Sequence, residues 1–291
     1  MFIVLLEVII MPATFSPLRY PGGKSQLFSY MKEFIEFNSF QDYTYVEPFA
    51  GGAGLALKLL YRNIVPKIVI NDYDPAIYAV WHSCLNAPEE FCKLIRTTPL
   101  NVEEWIKQKE IYLAPEENSM LKLGFATLYL NRTNRSGIVT GGVLGGKDQN
   151  GKYKMDVRFN RQTLSRKVMD IFKHRDQITL TNYDAKYILS KDYDLGEKCF
   201  LNIDPPYVKK GEQLYRNFFS ENDHRELARF IKCCNYPWVV TYDICDLVAE
   251  IYQEFRHSEL DVRYSANVKR NAHEYIFFSN NTSIPDSIQI L

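Results

Sequence analysis

The sequence predicts an α/β fold in which a parallel sheet is covered by helices and interrupted by one inserted domain. Short β-rich runs at Tyr43–Glu47, Lys67–Asp72, Gln177–Thr181, Cys199–Asp204 and Trp238–Thr241 read as buried strands. Helix-compatible segments alternate with them: Ala53–Arg62, Pro75–Cys84 and Asp223–Asn235, the last with Leu227, Phe230 and Ile231 at helical spacing. The alternation breaks from about Ala87 to Phe172. There, helical patterns at Glu103–Tyr112 and Ser119–Leu130 lead into Gly141, Gly142, Gly145, Gly146 and Gly151, a stretch that reads as a β-hairpin. The expected division is 1–86 and 173–291 for the two parts of the main domain, with 87–172 as the insert.

A chain of 291 residues, 46% apolar, is long enough to bury a sizeable core. Its six cysteines form no Cys-x-x-Cys pair or Cys/His group, which argues against a structural zinc site and a secreted disulfide framework. They read as reduced thiols of a cytoplasmic protein, and no metal is expected. The apolar run Met1 to Ile10 is about half the length needed to span a bilayer and lacks a basic leader or cleavage site. It reads as an extension upstream of a start at Met11, or as an added edge strand, and no membrane partner is implied.

Net charge is zero, which alone gives no support to a polyanionic partner. The charge is segregated, however. Asn131 to Arg175 holds 11 Lys/Arg against 3 Asp/Glu, so the rest of the chain is net acidic. A solvated helix face accounts for Arg166, Lys167, Lys173 and Arg175. It accounts less well for the glycine-rich stretch before them.

Val46-Glu47-Pro48-Phe49-Ala50-Gly51-Gly52-Ala53-Gly54 is a glycine-rich turn that leaves a strand and opens a helix. Glycines permit close backbone approach and positive φ, and the helix start presents free N–H groups. The turn lacks the G-x-G-x-x-G of dinucleotide enzymes, and Glu47 at the strand end would repel a pyrophosphate. It suits a ligand bearing a cationic amino acid. The turn assigns Glu47, Phe49, Gly51 and Gly54 to that ligand. About 25 residues on, Asp72 ends the next strand, where a carboxylate accepts ribose hydroxyls. Asp74 before Pro75 reads as a helix cap.

Asn202-Ile203-Asp204-Pro205-Pro206-Tyr207 follows a strand of buried type. An exocyclic aromatic amine is a poor nucleophile because its lone pair is delocalised into the ring. A carboxylate (Asp204) and a backbone carbonyl (Pro205) can accept its two N–H bonds and draw the nitrogen toward sp³ character. The prolines stiffen the loop, and Tyr207 can stack on a base taken out of a duplex. Without its neighbours the motif would read as an ordinary turn.

Together these motifs resemble the Dam-like DNA N6-adenine methyltransferases of the α group, over nearly the whole chain. Pro17-Leu18-Arg19-Tyr20-Pro21-Gly22-Gly23-Lys24 is similar to the family's K-W-x-G-G-K element, with tyrosine for the commoner tryptophan. The resemblance implies a Rossmann-like S-adenosylmethionine-dependent methyltransferase fold with a mixed seven-stranded sheet. It also implies S-adenosyl-L-methionine as cofactor, with Tyr20 and Lys24 among its ligands and Asp204 close to it. Asp184, in Thr181-Asn182-Tyr183-Asp184, falls where the family has an acidic residue near the cofactor adenine, and equally where a helix cap is expected.

Asn131-Arg132-Thr133-Asn134-Arg135-Ser136-Gly137 is similar to the family segment that leads into a DNA-contacting hairpin, closed here by Val157-Arg158-Phe159-Asn160. Arginine and asparagine can read guanine and adenine edges in the major groove. The resemblance assigns Asn131, Arg132, Asn134, Arg135, Lys147, Lys152 and Arg158 to double-stranded DNA. Arg135-Ser136 stand where GATC-specific members carry an aromatic–Asn pair, so that specificity does not transfer. His224 resembles a histidine that follows the motif in relatives; facing DNA, bracing a loop and simple helix packing all stay open for it. Glu274–Phe278 reads as a buried closing strand, and Asn267 to Asn271 before it as a polar loop. Methylation of cytosine N4 or an RNA amine is the alternative within the same chemistry, and a non-catalytic DNA-binding subunit the alternative outside it. A monomer with a cognate restriction endonuclease as a partner completes the expectation.

Overall fold

The computed structural model describes residues 14–20, 24–209, 219–264 and 270–286. Met1 to Ile10, the Pro21-Gly22-Gly23 turn and the Asn267 to Lys269 part of the polar loop lie outside them. Strands β1 (Thr44–Glu47), β2 (Lys67–Asn71), β3 (Ile178–Thr181), β4 (Cys199–Ile203), β5 (Trp238–Asp243), β6 (Arg256–Tyr264) and β7 (Arg270–Phe278) form one sheet of order β3-β2-β1-β4-β5-β7-β6. The pairs among β1 to β5 are parallel, while β7 runs antiparallel between β5 and β6. β4 and β5 are buried at every position, as expected of strands covered on both faces. Successive side chains alternate: Tyr45 and Phe200 enter one core, Val46 and Leu201 the other.

Strand order reverses between β1 and β4. In open α/β sheets that switch point leaves a crevice outside the carboxyl ends of the strands. The loop leaving β1 carries Glu47 to Gly54 and the loop leaving β4 carries Asp204 to Tyr207, so topology alone brings together two motifs about 150 residues apart.

The helices are α1 (Phe28–Phe37), α2 (Gly54–Tyr61), α3 (Pro75–Asn86), α4 (Pro88–Thr97), α5 (Val102–Leu113), α6 (Met120–Thr133), α7 (Arg161–Lys173), α8 (Ala185–Ile188), α9 (Glu221–Cys233) and α10 (Asp246–Ile251). Their starts follow local chemistry. Asp74 caps α3 by accepting the Ala76 N–H at 2.9 Å, with Pro75 as first helical residue. Asn101 and Asn160 do the same for α5 and α7, and Ser220 with Asp223 forms a capping box on α9. Among the described residues no helix is long and apolar enough to cross a membrane.

The helices between β2 and β3 share the core of one sheet face: Phe91, Trp105, Leu128 and Val168 belong to the same cluster as Tyr45, Ile68 and Phe200. The expected hairpin is not formed as paired strands. A single antiparallel bridge joins Asn134 to Val143, and the rest closes through 3-10 turns at Arg135–Gly137 and Met155–Arg158. Gly137, Gly145 and Gly146 all take positive φ, which turns the chain out of strand geometry. α4 and the long edge strand β6 were not expected from the sequence.

α6 crosses α3 closely at Gly124, where a Cβ would stand 2.4 Å from the Ala79 carbonyl oxygen and 2.6 Å from Ser83 Oγ. Alanine is the better helix former by about 1 kcal/mol, yet Gly124→Ala is expected to destabilise the protein by about 1–3 kcal/mol through overpacking. Urea denaturation measures this; a gain in stability would contradict the close crossing.

Candidate active site

The site begins with the turn after β1. Gly51 N–H donates to Asp72 Oδ2 at 2.8 Å, Ala50 N–H to the Asn71 carbonyl at 2.9 Å, and Trp81 Nε1 to the Gly51 carbonyl at 3.0 Å. Gly51 has φ +47°, and a Cβ there would lie 2.6 Å from the Tyr20 ring. Glycine is needed because the tyrosine packs directly on the turn. At Gly54 the close neighbour is Ser25 Oγ, 2.3 Å from a Cβ built there. Asn71, fully buried, ties the edge together: its amide donates to the Pro48 and Tyr183 carbonyls, and its oxygen accepts from Thr181 Oγ1 and Tyr183 N–H.

Two carboxyls face this crevice without a cationic partner among the described residues. Burial pushes Glu47 up to about 8, against the pull of the Tyr45 hydroxyl, which donates at 3.2 Å, and of the Ala56 N–H. Burial likewise pushes Asp72 up to about 7, although it accepts N–H groups from Asp74 and Gly51. A pair of buried carboxyls whose charge is disfavoured in the unliganded protein is suited to a ligand that brings positive charge and hydroxyl donors. Phe49, half-buried, meets Phe219 edge-on at 6.1 Å.

Across the switch point lies the second half. Asp204 Oδ1 accepts from Thr241 Oγ1 at 2.8 Å and from the Tyr207 hydroxyl at 3.2 Å, and pairs with Lys24 Nζ at 3.1 Å. Lys24 is buried; it also pairs with Glu274 Oε2 at 2.8 Å and donates to the Tyr207 hydroxyl. Burial opposes the Lys24 charge, but Asp204 and Glu274 outweigh it and hold the ammonium above its ordinary range. Asp243, at the end of β5, accepts the Val208 and Lys209 N–H groups at 3.0 and 2.9 Å and so fixes the chain after the Asp-Pro-Pro-Tyr motif.

The structure therefore joins Lys24, Asp204 and Tyr207 in one cluster, with Pro205 buried beside them. Tyr20, Glu47, Gly51, Gly54 and Asp72 lie together at the β1 and β2 ends. Glu274, Thr241 and Asp243 were missed. Glu274 sits in an apolar run that reads simply as a closing strand, and the other two end a strand predicted only to Thr241. Asp184 is exposed and caps α8, accepting the Lys186 N–H at 2.8 Å. His224 is buried, with Nδ1 2.9 Å from the Tyr242 hydroxyl and its ring against Phe219, so it packs α9 against β5.

Three of the expected DNA contacts need correction. Asn131 is buried and bonds the Arg19 N–H, the Arg19 carbonyl and the Gly137 carbonyl. Arg132 is buried against the Pro17 carbonyl. Asn134 accepts from Trp105 Nε1 and donates to the Ile138, Val139 and Gly141 carbonyls. All three side chains are buried against protein groups and do not reach base edges in this conformation. Arg135, Lys147, Lys152 and Arg158 are exposed.

A family model described as D12 class N6 adenine-specific DNA methyltransferase matches residues 20–266. The chain belongs to this family. It is an adenine-specific DNA methyltransferase, and DNA is its substrate. The methyltransferase is 24% identical to the type II methyltransferase M.MjaIII of Methanocaldococcus jannaschii over 74% of this chain and 78% of that one. It is also 24% identical to the type II methyltransferase M.CviBI of Paramecium bursaria Chlorella virus NC1A, over 85% and 90%. Among solved structures, the precorrin-6y C5,15-methyltransferase of Geobacter metallireducens GS-15 overlaps at TM-score 0.36 with 10% identity over 87% of each chain. The fold assignment rests on the sheet order.

The Glu47 carboxyl gives a pH test of the unliganded enzyme. Its folded value of about 8 exceeds the ordinary 4.5, so the folded state holds a proton that the unfolded chain releases. Its contribution to stability is complete below about 4.5 and is lost as pH rises through about 8. Thermal melts of wild type and Glu47→Gln are expected to diverge over that window, the variant gaining relative to wild type as pH rises. Parallel curves would contradict the burial effect.

Proposed function

We propose that this methyltransferase uses S-adenosyl-L-methionine and acts on an adenine extruded from duplex DNA, with Asp204 as the group that receives the amine. The observation that carries this is the convergence of Lys24, Tyr207 and Thr241 on one oxygen of Asp204. Oδ1 is held by those donors, and Oδ2 is left to accept one N6–H. The Pro205 carbonyl accepts the other. As the amine gives up ring conjugation its lone pair becomes available, and positive charge develops on nitrogen close to the carboxylate. Lys24, paired with Asp204 at 3.1 Å, holds the carboxylate in place while the bond forms; the surplus proton leaves afterward to solvent. Tyr207 is buried here, so stacking of its ring on the base requires the loop to open.

The cofactor, when bound, supplies an electrophilic methyl group on a sulfonium sulfur. Glu47 suits its amino group, Asp72 its ribose hydroxyls, and Tyr20 with Phe49 its apolar faces. The glycine turn beneath Tyr20 and the two proton-holding carboxyls support that fit. Asp184, engaged as a helix cap, is left with a weaker claim on the adenine end. Arg135, Lys147, Lys152 and Arg158 face the DNA as exposed cations on the turn-rich part of the insert. The type II names of its relatives support a place beside a cognate endonuclease, and one flipped base on one strand is served by a monomer.

The test is transfer of labelled methyl from S-adenosylmethionine to unmethylated DNA, followed by nucleoside chromatography. Label is expected in N6-methyl-2′-deoxyadenosine, with a fall on the order of 10²–10³-fold in Asp204→Ala. Full activity in that variant would remove Asp204 from the chemistry.

A further inference from the structure

The cluster on Asp204 holds one more carboxylate than its ammonium can neutralise, and methyl transfer through Asp204 gives the extra one no task. Lys24 Nζ stands 2.8 Å from Glu274 Oε2 and 3.1 Å from Asp204 Oδ1. Asp204 alone would balance it. Glu274 is nonetheless almost fully buried, on β7 between Asp243 of β5 and Leu260 of β6 in register.

Few groups meet Glu274. Its strand neighbours His273 and Tyr275 alternate to the opposite face. Leu260 is apolar, and Asp243 commits its carboxylate to the Val208 and Lys209 amides. Among the described residues, what faces Glu274 is Lys24, the Tyr207 hydroxyl, which hydrogen-bonds it, and Asp204 beyond them. Burial pushes the Glu274 carboxyl up, Lys24 pulls it down and Asp204 pushes it up again, leaving it above its ordinary value. As pH falls, Glu274 therefore takes a proton earlier than an exposed glutamate does. Lys24 is then left with Asp204 as its anionic partner, and the surplus negative charge is gone.

We propose that Glu274 is a positioning residue for methyl transfer: its carboxylate, as the nearer partner of Lys24, occupies the ammonium and leaves the negative charge of Asp204 only partly neutralised beside the target amine. The proposal rests on the reading of Asp204 as the group that receives the amine. With two carboxylates against one ammonium the cluster carries one negative charge, and positive charge develops on N6 as its lone pair forms the new bond. A negative charge already in place, held by fixed partners, stabilises that change without reorganisation. Lys24 paired with Asp204 alone would present a neutral pair instead. Glu274 acts through Lys24 and does not touch the amine.

The experiment measures methyl transfer to an unmethylated duplex against pH for wild type, Glu274→Gln and Glu274→Asp, reading the maximal single-turnover rate and the half-saturating concentrations of duplex and S-adenosylmethionine. Above the Glu274 ionisation, the Glu274→Gln rate is expected to fall about 10–100-fold, the range seen when the partner behind a metal ligand is removed, with half-saturation unchanged. As pH falls through that ionisation wild type loses its advantage and the two rates converge. Glu274→Asp keeps the charge and is expected to recover most of the rate. A rate ratio constant across pH would make Glu274 a packing residue and overturn the proposal; so would an unchanged rate, or a loss confined to half-saturation. Thermal melts check folding. Should Glu274→Gln not fold, Glu274→Asp decides: a low-pH limb that moves with the shortened side chain supports the proposal, and a limb at the wild-type position overturns it. Asp204→Ala in the same assay separates the two readings. Full activity there would remove Asp204 and this proposal together, whereas its inactivity beside a wild-type pH profile in Glu274→Gln would strike Glu274 alone.

Discussion

The ammonium of Lys24, buried between the carboxylates of Asp204 and Glu274, is the contact on which the rest of the site depends. It joins three pieces of chain that topology alone leaves independent: the turn before α1, the loop after β4 and the antiparallel strand β7. Burying one charge is costly, and burying two beside a partly exposed third is tolerable only when each is paired and its remaining hydrogen-bonding capacity is met. The Tyr207 and Thr241 hydroxyls meet it here. Such a cluster contributes little net stability compared with apolar packing, but it tolerates few alternative geometries. Its consequence is a fixed orientation of Asp204, with Oδ1 engaged by Lys24, Tyr207 and Thr241. Asp243 works toward the same end from β5, by holding the amides that follow the motif.

On the other side of the switch point the electrostatics have the opposite character. Burial raises the Glu47 and Asp72 carboxyls to about 8 and about 7, and among the described residues Arg19, Arg132 and Lys167 stand near the N-terminal segment without an ion-pair partner. The helices between β2 and β3 connect the two. They share a core with the sheet, and Asn131, Arg132 and Lys167 hydrogen-bond the backbone of the segment bearing Tyr20.

The sheet was legible because its strands are short, apolar and bounded by turn residues: all five parallel strands fall within a residue or two of their expected limits. The edge strand β6 was not, since Arg256-His257-Ser258-Glu259 carries little apolar signal and is held by pairing to β7. Motifs named the crevice because glycine, acid and proline at strand ends have few other uses. Glu274 escaped for the reverse reason: one acidic residue within a buried strand looks like an interruption until Lys24, 250 residues away, is placed against it. The polar run from Asn131 to Asn134 misled in the same way. Its residue types suit DNA edges and suit backbone carbonyls equally, and only burial decides between them.

The most direct test of this account is a double-mutant cycle on unfolding free energy with Lys24→Met, Glu274→Gln and the pair. If the buried ammonium is held as described, each single change leaves an unpaired polar group, and the double variant is less destabilised than the sum by about 1–3 kcal/mol. Strict additivity would show that Lys24 and Glu274 do not depend on each other, and the central contact would be lost with it.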